Sequence, residues 1–388
     1  MAPSNRRQPS VRQRPRVIVV GQLPPPDAGQ FAATLDLLRR LQDSEMVEVE
    51  HLPFRFSTGS HEFGRIRLAK IIELPRIWSR ILRARARGSI DLIVYPLGGP
   101  HNAPTLRDVA VLPFMLASSQ RVLLHMHAGG YADAWDQLGV VRRIARWLYR
   151  RAAGTVVMTE FNRRDPVALG LDPIFVAPHQ IPDVGDRHRP RGRGSDAAVA
   201  PRLVYLGMLS EEKGTRALIE AVGRVTRGGS HLQLTLVGEP FGELTTTRVR
   251  EWAREAGAEG AVVLTGRLSG DEKWSALTEA DLFVFPSIHP TETFGLVLVE
   301  AMMLGLPIVA TRWRGNPDVL GDPFGGVWCE PGPDLTTSLT RAIESALADR
   351  DRWDAWGTAN RDRFLGKYSE PANSAIVEVI TRLTAPIE

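Results

Sequence analysis

Two glutamates eight residues apart, Glu292 and Glu300, stand in the run Phe285–Thr311, FPSIHPTETFGLVLVEAMMLGLPIVAT. The apolar stretch Leu282–Phe285 predicts a buried strand, Ser287–Thr293 a polar loop, and about Phe294 to Leu304 a helix. Gly305 fits the C-cap, and Pro307 opens the next strand. Glu292 then lies on a loop at the carboxyl end of a parallel strand, where open α/β sheets bind ligands. Glu300 lies two turns into the helix, roughly 11 Å of rise further on. One carboxylate can hold one end of an extended ligand while the other reaches a group further along. The helix N-terminus between them offers free N–H groups and a positive dipole to an anion.

A second group lies in Tyr205–Val222, YLGMLSEEKGTRALIEAV. A strand is expected to end at Gly207, a short loop carries Lys213 and Gly214, and a helix begins near Thr215. Lysine before glycine at a helix entry places an ammonium and free N–H groups together on a phosphate. In the first half, Val17–Val20 runs into a Pro-rich loop, GQLPPPDAGQ, that holds Gly21, Ala28 and Gly29 and leads to a helix over Phe31–Leu41. The loop lacks Gly-x-Gly-x-x-Gly, which argues against a nicotinamide site. The strand Arg121–Met126 runs into His127-Ala-Gly-Gly, so His127 is expected at a strand's carboxyl end, in the crevice of a sheet.

The elements that position these residues repeat along the chain. Strands are predicted over Arg16–Val20, Val47–Leu52, Asp91–Tyr95, Arg121–Met126, Thr155–Thr159 and Ile174–Ala177. Others are predicted over Leu203–Leu206, Leu232–Val237, Val262–Leu264, Leu282–Phe285 and Pro307–Ala310. Short Val/Ile/Leu runs separated by helices indicate parallel strands buried on both faces, hence a doubly wound α/β fold occurring twice. At 388 residues, two domains are expected. A disordered tail over residues 1–15 precedes a first domain over 16–184; a Gly/Pro/Arg-rich linker, 185–200, leads to a second over 201–367; a helix within 368–388 ends the chain. The single cysteine, Cys329, excludes an internal disulfide framework and a multi-cysteine zinc site. The basic N-terminus lacks a signal-peptide core, and uncharged stretches fall short of the roughly 18–20 residues of a spanning helix. A cytosolic setting is expected.

The Glu292–Glu300 segment resembles the Glu-x7-Glu signature of the retaining family 4 glycosyltransferases, whose GT-B fold sets two Rossmann-like domains face to face across a cleft. The resemblance extends from about Arg16 to the last helix and is more specific in the second half. It implies sugar transfer from a nucleotide-sugar to an acceptor hydroxyl, in glycan, polysaccharide or glycolipid synthesis. By it, Glu292 holds hydroxyls of the donor sugar and Glu300 the ribose. Amides near Thr293, Phe294 and Gly295 meet the sugar or diphosphate. Gly207, Lys213 and Gly214 form the diphosphate site, and His127 meets the transferring sugar. Gly21, Ala28 and Gly29 match the acceptor-side loop, with Ala28 where a second glycine is common. The family's arginine after the strand-end glycine is replaced by Met208, for which Arg267 or Arg314 could compensate. Pro178-His179-Gln180 replaces the usual Pro-Asn-Gly turn. The resemblance implies front-face displacement without a protein nucleophile, with Lys213 and helix N-termini in place of a divalent ion, so no metal and no cofactor are expected; no Asp-x-Asp cluster resembles one that would hold a metal. The departures leave open a nucleotide-sugar- or glycan-binding protein with a degenerate site. Another GT-B enzyme, such as a sugar-nucleotide 2-epimerase, also stays open.

The charge is unevenly distributed. Residues 1–190 hold 27 Lys and Arg against 17 Asp and Glu, a net +10, and with +4 for the whole chain the remainder carries −6. Arg65–Arg87, expected to be broken at Pro75, and Arg142–Arg151 interleave arginines with Ile, Leu and Trp. That pattern suits the headgroups of anionic lipid. A lipid-linked acceptor and a peripheral place on the cytoplasmic leaflet are therefore expected, alongside the simpler reading of solvated helix faces. The linker's arginines lack interleaved aromatics, so no nucleic-acid partner is expected.

Overall fold

The structure is a computed structural model that describes residues 14–23, 29–54, 68–134, 139–188, 199–370 and 374–385. Met1–Gln13 of the expected tail, residues 189–198 of the expected linker, Ala28, Arg65 and Arg67 lie outside the described residues. The first half runs β1 (Arg16–Gly21), α1 (Gly29–Ser44), β2 (Glu48–Pro53), α2 (Leu68–Ala86), β3 (Leu92–Leu97), α3 (Asn102–Ser118), β4 (Arg121–Met126), α4 (Tyr131–Ala134), α5 (Val140–Tyr149), β5 (Gly154–Val157), α6 (Arg164–Leu169) and β6 (Ile174–Val176). The second half runs β7 (Arg202–Leu206), α7 (Thr215–Arg227), β8 (Gln233–Val237), α8 (Thr246–Glu255), β9 (Val262–Gly266), α9 (Gly270–Thr278), β10 (Leu282–Phe285), α10 (Leu296–Met303), β11 (Ile308–Thr311), α11 (Asn316–Leu320), β12 (Gly326–Cys329), α12 (Leu335–Ala348) and α13 (Trp353–Lys367). The last helix, α14 (Ala375–Thr384), follows.

Each half builds one six-stranded sheet, in the orders β2-β1-β3-β4-β5-β6 and β12-β11-β10-β7-β8-β9. All strand pairings are parallel. In such a sheet the chain leaves in opposite directions at one point, opening a crevice beyond the carboxyl ends. That point falls between β1 and β3 in the first sheet and between β7 and β10 in the second. Gly21 and Gly98 flank one crevice; Gly207 and Pro286 flank the other.

Alternation along the strands explains why both faces are covered. In β1, Ile18 and Val20 enter one core with Ile77 of α2, Val111 of α3 and Leu148 of α5, while Val17 and Val19 enter another with Leu37 of α1 and Ile380 of α14. In β7, Leu203 and Tyr205 pack with α7, α8 and α12, while Val204 and Leu206 pack with α10 and Phe364 of α13. The final helix thus crosses back to the first sheet. The crossing is fixed beside the outward one. Ile181 bridges Ser369 in parallel, and Arg40 of α1 reaches the Gln180 carbonyl at 2.6 Å and Glu370 at 3.3 Å.

Three elements differ from expectation. Helix α2 runs through Pro75 without a break. Ile77 and Ile81 beyond the proline are fully buried, and Trp78 stacks on Phe114 at 4.6 Å, so packing outweighs the lost backbone hydrogen bond. Helix α10 starts at Leu296 rather than Phe294, because Gly295 takes a left-handed conformation as its N-cap. The edge strand β12 is additional: its apolar run is only Val327-Trp328-Cys329, set between Gly326 and Glu330 and without the Val/Ile/Leu repetition of the other strands.

Ile380 lies on the returning helix and is fully buried. Ile380→Ala should therefore cost about 2–5 kcal/mol. Urea unfolding should show an earlier transition for the first sheet, with free-nucleotide affinity unchanged.

Candidate active site

Both carboxyl edges meet across one cleft. Gly129 N donates to the Thr291 carbonyl at 3.2 Å, and Thr293 Oγ1 donates to the His127 carbonyl at 3.0 Å. Phe161 N donates to Asp318 at 2.7 Å, and Arg314 pairs with Asp133 at 2.6 Å. The loop after β4 therefore lies directly against the loop between β10 and α10.

Lys213 and Glu292, 79 residues apart, are joined by an ion pair of 2.6 Å, with side chains only 15% and 11% exposed. The approach depends on Gly214. It caps α7 at φ 74°, and a Cβ there would collide with the Pro286 carbonyl oxygen at the end of β10. Ser287 Oγ donates to the same Glu292 oxygen at 2.9 Å. Burial pushes the Glu292 carboxyl up, but Lys213 and Ser287 together outweigh it and hold the group below its ordinary value. The site thus carries a fixed carboxylate and a cation beside the entry of α7.

Glu300 sits on α10 among buried Leu298, Val299, Ala301 and Met302. Its Oε1 accepts from Lys273 Nζ of α9 at 3.0 Å, and that ammonium lies 3.9 Å from the Trp274 ring centroid. Lys273 was not among the residues the sequence singled out; only the α9–α10 packing brings it in. Gly207 ends β7, and Met208 beside it is 39% exposed, its carbonyl held by Tyr205 Oη at 2.6 Å. Arg267 is exposed on the loop after β9, two strands away from β7. Arg314 stands closer to the facing half. It takes φ 47°, and its Nε is buried without a hydrogen-bond partner among the described residues.

On the opposite wall, His127 forms a cluster with His125 at 4.1 Å and His179 at 5.5 Å between ring centroids. His179 meets Phe294 edge-on at 5.4 Å. The altered Pro178-His179-Gln180 turn thus supplies a third imidazole, which its position in the turn motif alone did not reveal. Burial depresses all three rings, His125 to about 3, His179 to about 4 and His127 well below the ordinary value. At neutral pH they are uncharged, able to accept or donate one hydrogen bond each. Asp165 holds the Gly130 and Ala132 amides at 3.0 and 2.8 Å and so fixes the glycine turn after His127. Of the acceptor-side loop, Gly21 packs on Thr34 and Gly29 opens α1, while Ala28 is outside the described residues.

Two parallel six-stranded sheets with facing carboxyl edges make up the GT-B fold expected from the sequence. Residues 197–363 match the family described as glycosyl transferases group 1. It is 27% identical over 320 residues to a 2-deoxystreptamine glucosyltransferase of Streptomyces kanamyceticus, covering 77% of this chain and 80% of that protein. It is 28% identical over 301 residues to a GDP-mannose-dependent alpha-(1-6)-phosphatidylinositol monomannoside mannosyltransferase of Mycobacterium tuberculosis, covering 71% and 74%. In fold it resembles sucrose-phosphate synthase from Thermosynechococcus elongatus, with a TM-score of 0.72 at 16% identity over 95% of this chain and 98% of that one.

The depressed histidines fix a pH dependence. Each has a folded value below the unfolded 6.5, so its contribution to stability is present above 6.5 and is lost as pH falls toward about 4 and below. Each proton taken up only on unfolding contributes a slope of about 1.4 kcal/mol per pH unit. Asp36, raised to about 6 by burial, titrates in part of that window with the opposite sign. Comparison with a variant isolates the histidine effect: His179→Gln should flatten the fall in stability between pH 6.5 and 4, measured by urea denaturation.

Proposed function

We propose that the chain transfers a sugar from a nucleotide-sugar to an acceptor hydroxyl with retention of anomeric configuration. Residues 201–367 would take the donor and 16–184 the acceptor. The observation that carries this reading is the buried Lys213–Glu292 pair at the entry of α7, facing His127 across the cleft. On donor binding, Lys213 turns from Glu292 to the diphosphate, and Glu292 is left to accept hydrogen bonds from sugar hydroxyls. The amides of Thr293, Phe294 and Gly295 lie where the sugar or diphosphate passes. Glu300 takes the ribose hydroxyls. His127, neutral, hydrogen-bonds the transferring sugar. As the glycosidic bond breaks, the leaving diphosphate oxygen takes the proton of the attacking acceptor hydroxyl on the same face. The protein contributes orientation and charge stabilisation of the leaving group.

Met208 supplies no charge where a second phosphate clamp is expected. Arg314, whose buried Nε lacks a partner among the described residues, is the cation best placed to take that part. For the acceptor we infer a glycan or a lipid-linked glycan. The lipid-linked class is supported by the basic first half and by the phosphatidylinositol-linked acceptor named for the mycobacterial relative. The protein would then work at the cytoplasmic leaflet as a peripheral protein; no helix among the described residues is long and apolar enough to cross a membrane.

Two substitutions test the donor site. Glu300→Ala should weaken free nucleoside diphosphate by about 1.5–3 kcal/mol, the range for a hydrogen bond to a charged group. Lys213→Ala should lower the rate of transfer more than it lowers ribose-dependent binding, and Arg314→Ala should add to the loss. Calorimetry against UDP, GDP and ADP, followed by release of nucleoside diphosphate from matching donors, measures both. Unchanged affinity on Glu300→Ala would remove that residue from the site.

A further inference from the structure

The two basic stretches of the first half fold differently. In α2 the apolar residues Ile77 and Ile81 are core, Arg76 pairs with Glu73, and Arg87 pairs with Glu50. In α5 the core takes only Ala145, Leu148 and Tyr149. Val140 is 70% exposed, Ile144 42% and Trp147 55%. At about 100° per residue these three share one stripe. Arg143 lies along its solvent flank, while Arg150 turns to the Gly170 carbonyl at 3.1 Å. The Arg151 guanidinium covers the Trp147 ring at 3.3 Å from the centroid, and the sequence from Gln137 to Thr159 contains no acidic residue.

We propose that this stripe of α5 is a docking surface for anionic lipid, inserting Val140, Ile144 and Trp147 among the headgroups while the flanking arginines meet phosphates. Charge complementarity selects this occupant: an exposed apolar stripe on a helix that carries arginines and no acidic residue matches a surface of anionic headgroups over acyl chains. The placement gives the docking a use, which rests on the lipid-linked acceptor proposed above. Arg142 at the start of α5 reaches Asn102 Oδ1 at 3.1 Å and the Pro100 carbonyl at 3.3 Å. Both belong to the segment after β3, on the carboxyl edge of the first sheet. The stripe therefore starts at the mouth of the cleft and runs about 11 Å away from it. A lipid-anchored acceptor would meet the cleft without leaving the bilayer surface.

Co-sedimentation with vesicles tests this, using phosphatidylglycerol mixed into phosphatidylcholine against phosphatidylcholine alone. The full chain should sediment with the anionic vesicles only, and less as salt is added. Ile144→Ser with Trp147→Ser should reduce partitioning about tenfold or more, and Arg143→Ser about fivefold. Arg143 is exposed, so its variant leaves the packing of α5 in place and decides the matter if the double variant melts early. Three results would overturn the proposal: no sedimentation at low salt, sedimentation indifferent to the α5 variants, or a dimer that these variants dissolve without any lipid binding. Calorimetry of the same preparations with nucleoside diphosphate keeps the two readings apart. Nucleotide binding without vesicle binding removes the docking surface alone, and vesicle binding without nucleotide binding removes the donor site alone.

Discussion

Parallel strands deliver every loop that follows them to the same edge of a sheet, and in this molecule two such edges face each other. The contacts between them are polar and short: Gly129 on Thr291, Thr293 on the His127 carbonyl, Phe161 on Asp318. Each involves backbone on at least one side, so the separation of the two walls is set by main chain rather than by adaptable side chains. The glycines at the cleft follow from this. Gly315 lies against Thr293 and Thr159, and Gly130 against Pro290; a Cβ at either would press on the facing half. Backbone meets backbone directly at Gly129 and Thr291, and the polar side chains beside that contact inherit its geometry.

Within this frame the charges are arranged as exchangeable pairs. Lys213 with Glu292 and Lys273 with Glu300 each satisfy a carboxylate that would otherwise be buried at high cost. A ligand with a diphosphate and a sugar can compete for both cations and both carboxylates at once, replacing two internal pairs by new ones without stranding a charge. The neutral histidines on the opposite wall add hydrogen bonds and no repulsion. This division gives one wall that carries charge and one that carries shape.

Much of this was legible before any coordinates. The Val/Ile/Leu runs placed eleven of the twelve strands, since a strand buried on both faces writes a continuous apolar signal. β12 escaped because this edge strand writes only three apolar residues, one of them Trp328 and one Cys329. Glu292 and Glu300 were legible from their spacing in an otherwise apolar segment. Their partners were not equally so. Lys213 was visible as a lysine at a helix entry, whereas Lys273 and the Arg314–Asp133 link depend on contacts between elements distant in sequence. The break expected at Pro75 shows the same limit from the other side, because local propensity was outweighed by the packing of Ile77, Trp78 and Ile81.

The crossing of α14 back to the first sheet has a consequence for how the chain is made. Val17, Val19 and Leu37 are covered in part by Val377 and Ile380, residues that leave the ribosome long after β6. At about 5–20 residues per second, the roughly 200 residues between β6 and α14 take about 10–40 s to appear. Throughout that interval the first-made half exposes an unfinished apolar face. The nascent chain must be shielded there, and loss of α14 would strike the first half before the second.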